Sequence, residues 1–208
     1  MRNNIKTLQE IVSRRGSSKV LSFGEPHVLK ALQIMNKDHF ASRNSLCKQL
    51  KLGEGAVKTL ILHLKEHGLV DSIRAGTFLT EKGMKFVNEF LKVMPAECFI
   101  SNSRLTKSKN NYAILLLNMR GQIRSGIEQR DAAILYDAKA TITMVYHRNK
   151  FVFPGEESDC LQSDKKIRNL LLEHLKPNEG DVIILTSSND SFSAEMGAKN
   201  SALITIAS

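Results

Sequence analysis

Lys58, Thr59 and His63, with Gly55 one turn before them, place donors and positive charge in a short stretch. On a helix of about 100° per residue, positions 55, 58, 59, 62 and 66 share one side and 63 flanks it. A helix with such a face fits the major groove of duplex DNA, where donors reach base edges and a glycine permits close backbone approach. Arg43, Asn44 and Lys48 lie upstream and suit phosphate contacts. Arg74, in the turn Arg74-Ala75-Gly76, suits a phosphate or minor-groove contact. Glu66 opposes phosphate and is expected beyond the groove. The competing reading is a merely solvated helix face.

A sparser polar set lies in the other half. Arg130-Asp131 interrupts an Ala-rich stretch, residues 154–159 form an acidic loop, and Ser187-Ser188 ends a β-branched run. Ligands in α/β folds gather at the C-terminal ends of strands, and helix N-termini favour anions. Arg130, Asp131, Ser187 and Ser188 are therefore candidates for a small-molecule effector site. A surface ion pair and a helix cap explain the same residues. Cys160 has Glu156, Glu157 and Asp159 as neighbours, which raise a thiol pKa and argue against a nucleophile. No P-loop, G-x-G-x-x-G, G-x-S-x-G or H-E-x-x-H motif occurs. His27, His39 and His67 lack metal-ligand spacing. The chain is thus expected not to be an enzyme and to need no metal or cofactor.

Composition narrows the class. The 208 residues are 42% hydrophobic and 25% charged, values that exclude global disorder. No apolar run approaches the ~20 residues that span a bilayer, so no membrane association is expected. The N-terminus shows no apolar signal-peptide core. Three widely spaced cysteines, Cys47, Cys98 and Cys160, form neither a disulfide framework nor a zinc pattern, and point to the reducing cytoplasm. The net charge of +9 is uneven: residues 1–98 hold 16 Lys+Arg against 9 Asp+Glu, residues 99–208 hold 14 against 12. A concentrated positive field attracts a polyanion.

The elements that must position these residues form two domains: 1–100, a polar linker at 101–110, and 111–208. In the first, the spacing predicts a helix over 4–14 with Ile5, Leu8 and Val12 inward, and another from Glu25-Pro26 burying Val28, Ala31, Leu32 and Met35. Ser42 caps a helix over 43–50. A glycine turn leads to a helix over 54–67, with Val57, Leu60, Ile61 and Leu64 inward and Gly68 at its end. A hairpin over 69–80 follows. Thr80 then caps a helix over 81–94, whose Phe86, Phe90 and Met94 are either a candidate dimer surface or simply packed on the first domain.

Taken together, the helical pair, Gly68-Leu69-Val70, Gly76 and Leu79-Thr80-x-x-Gly83 resemble the winged helix-turn-helix domain of bacterial and archaeal transcription regulators. The resemblance covers about residues 25–95 and implies DNA binding. Such regulators commonly pair, because two recognition helices one DNA turn apart read a palindrome; a homodimer is expected.

The second domain reads as β-α-β-β-α-β-α: a strand over 112–119, a helix over 127–138 with Ile127, Ala132 or Ala133, Ile134 and Leu135 inward, a hairpin over 140–153, a helix over 164–175, a strand over 181–187 and a helix over 193–203. This is an α/β sandwich, ferredoxin-like or similar. Gly126-Ile127-x-x-Arg130-Asp131-Ala132-Ala133 with Phe153-Pro154-Gly155 resembles the second domain of archaeal winged-helix proteins of unassigned function. The expected function is a transcriptional regulator that binds double-stranded DNA and uses its second domain to sense an effector or dimerise. The alternative is an enzyme with a C-terminal catalytic domain and a regulatory winged helix.

Overall fold

The computed structural model describes residues 1–13, 20–103, 105–106 and 108–208. It is a mixed α+β protein, with helices in the N-terminal part and a five-stranded sheet in the C-terminal part. The chain divides into two compact units, Met1–Phe90 and Leu91–Ser208. Among the described residues no helix is long and apolar enough to cross a membrane.

The first unit contains α1 (Arg2–Ile11), α2 (Glu25–Asp38), α3 (Arg43–Leu50) and α4 (Glu54–Glu66), then strands β1 (Val70–Ile73) and β2 (Gly76–Leu79), and most of α5 (Glu81–Val93). The first helix thus starts earlier than expected, and Arg14 lies outside the described residues. Pro26 sits in the first turn of α2, and Val28, Ala31, Leu32 and Met35 are all buried. Ser42 Oγ accepts from Ser45 N at 3.1 Å, capping α3. Val57, Leu60 and Leu64 of α4 are buried. Main-chain bonds between Ala41 and Thr77 (2.9 and 3.0 Å) tie the start of α3 to the hairpin.

The junction into α5 explains a four-residue sequence signal. Thr80 Oγ1 donates to Gly68 O at 2.7 Å and accepts from Gly83 N at 3.0 Å. A β-carbon on Gly83 would fall 1.9 Å from Leu69 O, so only glycine lets the helix pass that close to the hairpin's entry. On α5, Phe86, Val87, Phe90 and then Met94 are buried. Its apolar side is filled within the chain, so the dimer surface expected on Phe86, Phe90 and Met94 is not there.

The second unit begins with β3 (Glu97–Ser103) and β4 (Ser108–Leu116), and a 3-10 turn at Arg120–Gln122. Next come α6 (Ile127–Ile134), β5 (Ala140–His147), β6 (Lys150–Val152), α7 (Lys165–Leu175), β7 (Val182–Ser188) and α8 (Ser191–Ala207). The stretch 101–110 expected as a linker belongs largely to a paired hairpin: Ser101 faces Asn110 and Ser103 faces Ser108. Of that stretch, Arg104 and Lys107 lie outside the described residues.

Every pairing in the order β3-β4-β7-β5-β6 is antiparallel. The last strand, β7, runs between β4 and β5. A ferredoxin-like sheet instead sets its first strand between the third and fourth, so that expectation fails on strand order while the split β-α-β layout holds. Ala113, Leu115, Ile183, Leu185 and Met144 bury one face against Ile167, Leu171 and Leu175 of α7. The other face carries α8, with α6 packed against it. The β5–β6 turn is tight, with Arg148 and Asn149 both at positive φ (49° and 60°), as a two-residue hairpin requires.

On α6 the alanines face inward as expected, but the large apolar residues do not. Ile127, Ile134 and Leu135 are exposed, and Gln129, Ala132 and Ala133 turn inward. Close packing on α8 selects small side chains and polar ties. Asn200 Nδ2 donates to Ala132 O (2.8 Å), Ser201 Oγ to Gln129 O (2.6 Å), and Gln129 Nε2 to Thr205 Oγ1 (3.0 Å).

Candidate nucleic-acid interface

On α3, Arg43, Asn44 and Lys48 are exposed; on α4, Gly55, Lys58, Leu62 and Glu66 are. The outward face of α4 is therefore the one its periodicity specifies. Nothing lies within 4 Å of where a β-carbon would stand on Gly53 or Gly55, so the N-terminal turn of α4 is open to approach. Gly53 offers no side-chain cap there, which leaves the first amides of α4 without an intramolecular side-chain acceptor at the cap position. Thr59 is half-buried, and its hydroxyl donates back to Gly55 O at 3.0 Å. Arg74 is exposed in the β1–β2 turn. Glu54 is the acidic residue in the first turn of α4.

His63 does not belong to this face. It is 7% exposed, and its Nδ1 donates to Ile11 O at 2.7 Å. Its ring also meets Phe23 edge-on at 6.2 Å between centroids. The C-terminal end of α1 needs donors for its last carbonyls, and His63, on the flank of α4, supplies one. His27 has a local role as well: its Nδ1 accepts from Gly24 N at 3.2 Å, capping α2, and burial followed by Lys30 lowers its pKa to about 4. Among the described residues no group of three or more His, Cys, Asp or Glu is placed to hold a metal.

The four effector-site candidates are not assembled. Arg130 and Asp131 are exposed on α6 and pair with each other at 3.0 Å. Ser187 and Ser188 are buried inside β7. Ser188 Oγ donates to Asp137 O at 2.6 Å, while Ser187 Oγ is buried with no hydrogen-bond partner among the described residues. The serines lie in the strand itself and not in the turn after it, where Asp190 caps α8 by accepting from Phe192 N and Ser193 N. The Cys160 thiol is pushed up to about 12 by burial and by Asp159, in keeping with an inert thiol.

A cluster not foreseen from the sequence lies between β3, β4 and α8. Lys199 is fully buried; its Nζ donates to Glu97 Oε2 at 2.6 Å and stands 3.6 Å from Glu195 Oε1. It also sits 5.6 Å above the Tyr112 ring. The Tyr112 hydroxyl bonds Glu97, and burial with these two carboxylates raises its pKa strongly. A Glu and a Lys four residues apart in a helix otherwise made of small and apolar residues were the available signal. The cluster ties the edge strand β3 to α8.

Residues 107–206 match the protein family described as "Domain of unknown function (DUF4443)". No curated protein matches the chain. The structure is similar to that of "Hypothetical protein PH0730 from Pyrococcus horikoshii OT3": the TM-score is 0.71 at 25% identity, over 88% of this chain and 92% of that one. The C-terminal half of the chain is thus similar to the DUF4443 family, and the fold resembles that of the Pyrococcus protein over nearly its full length.

Proposed function

We propose that the chain is a DNA-binding transcriptional regulator whose first unit is a winged helix-turn-helix, with α3 and α4 as the helical pair and β1–β2 as the wing. One observation carries this reading: Lys58 and Leu62 face outward from α4 beside the open Gly53–Gly55 turn, with Arg43 and Lys48 exposed on the preceding helix. In this reading α4 enters the major groove. Lys58 and Thr59 meet base edges or phosphate, and Gly55 lets the backbone approach. Arg43, Asn44 and Lys48 hold the flanking phosphates, and Arg74 reaches from the wing. His63 is a packing residue in this account. The charge excess of residues 1–98 supplies the long-range attraction. The DUF4443 domain serves dimerisation or effector sensing.

Fluorescence anisotropy of the full chain on a labelled random-sequence duplex tests this. Four basic contacts predict a log–log salt slope of about −3 to −4. An affinity that does not change with salt contradicts the reading.

A further inference from the structure

We infer that the outer face of α6 is a two-fold contact surface for a second copy of this chain. Ile127, Ile134 and Leu135 are 51%, 55% and 76% exposed, and α8, the helix against which α6 packs, adds Ile204 at its own exposed side. At about 100° per residue, Ile127, Arg130, Asp131, Ile134 and Leu135 fall on one side of α6, opposite Gln129, Ala132 and Ala133. The surface is apolar except at its centre, where Arg130 and Asp131 pair at 3.0 Å.

The spacing is what selects the partner. The midpoint of Ile127 and Ile134 falls between Arg130 and Asp131. A two-fold axis through that point, with two α6 helices antiparallel, sets Ile127 against Ile134 of the second copy and Arg130 against Asp131. The stripe is therefore complementary to itself in both shape class and charge, as an isologous contact requires. An unrelated partner needs no such symmetry. Moving the Arg–Asp pair from solvent into a ring of isoleucines strengthens its cross-pairing and penalises any register that leaves either charge alone. An eight-residue helix is small beside the ~800 Å² per partner of a standard interface, so association at roughly micromolar concentration is expected, not an obligate dimer.

The test is sedimentation of the full chain from about 5 to about 500 μM. The average mass is expected to rise from 23.3 kDa toward twice that value. Ile134→Asp abolishes the rise. Arg130→Asp alone, or Asp131→Arg alone, weakens self-association at least ~10-fold by setting like charges across the axis. Mixing those two variants restores a dimer, because one then offers two acids and the other two bases. Both sites are exposed, and unchanged circular dichroism confirms that the variants fold. A mass of 23.3 kDa at every concentration overturns the inference. So does a dimer indifferent to Arg130→Asp, or a variant mixture that stays monomeric. No DNA enters this measurement, so its outcome is separate from that of the DNA-binding reading.

Discussion

Lys199 Nζ lies 2.6 Å from Glu97 Oε2, and the lysine side chain is wholly removed from solvent. Glu97 is the first residue of β3, and Lys199 lies in the middle of α8. The pair therefore joins two elements separated by most of the second unit's sequence. Removing one member of a buried pair costs about 3–5 kcal/mol, because the other charge stays behind without compensation. Lys199→Met is expected to destabilise the chain by about 3 kcal/mol, near the lower bound because Glu97 keeps some solvent contact. Adding Glu97→Gln and Glu195→Gln recovers part of that loss. Urea unfolding reads both; a single variant as stable as the parent shows the pair to be dispensable.

Gly83 gives a sharper steric prediction. A methyl group there meets a carbonyl oxygen at 1.9 Å, and neither the β1 entry nor α5 can yield without moving backbone. Gly83→Ala is expected to cost about 3 kcal/mol or more. Its neighbour Thr80 bonds both sides of the same junction, and Thr80→Val, which loses the hydroxyl, is expected to cost about 1–2 kcal/mol. Equal stability of Gly83→Ala and the parent in thermal unfolding would mean that the junction is looser than described.

His27 sets a pH dependence. Its folded-state pKa is lowered to about 4 from 6.5, first by burial and then by Lys30. Between those values the unfolded chain binds a proton that the native chain does not, so stability falls as pH drops. The contribution is fully present above pH 6.5 and lost as pH falls through about 4. Geometry gives the same sign, since Nδ1 accepts from Gly24 N and cannot do so when protonated. Unfolding free energies from urea titrations at neutral pH and near pH 4.5 should differ by on the order of 2 kcal/mol more for the parent than for His27→Gln. The same difference in both chains excludes His27 as the source.

The two units differ in how far their sequence could be read, and the reasons are physical. In the first unit, strong local signals agree with the packing: Ser42 caps α3, Pro26 opens α2, and Thr80 with Gly83 marks the turn into α5. His63 was misplaced because periodicity gives an angle on α4 and cannot say that α1 ends against that flank. In the second unit, α6 misleads because its inward face is chosen by close contact with α8. Alanines and a bonded glutamine fit there, and the isoleucines are left outside. Strand order was beyond reach for a similar reason: β7 enters between β4 and β5, a long-range choice that no local pattern records.

In the proposed function Lys58 and Arg74 belong to one DNA-contacting surface. Both are exposed, and neither supports the core. The double variant Lys58→Glu, Arg74→Glu should unfold at the parent's midpoint. The most direct measurement is anisotropy of parent and double variant on the same labelled duplex at low salt. Loss of affinity by about 100-fold or more, consistent with reversing charge at two phosphate-facing positions, is the predicted result. Binding by the double variant as tight as by the parent would place any DNA contact elsewhere on the chain.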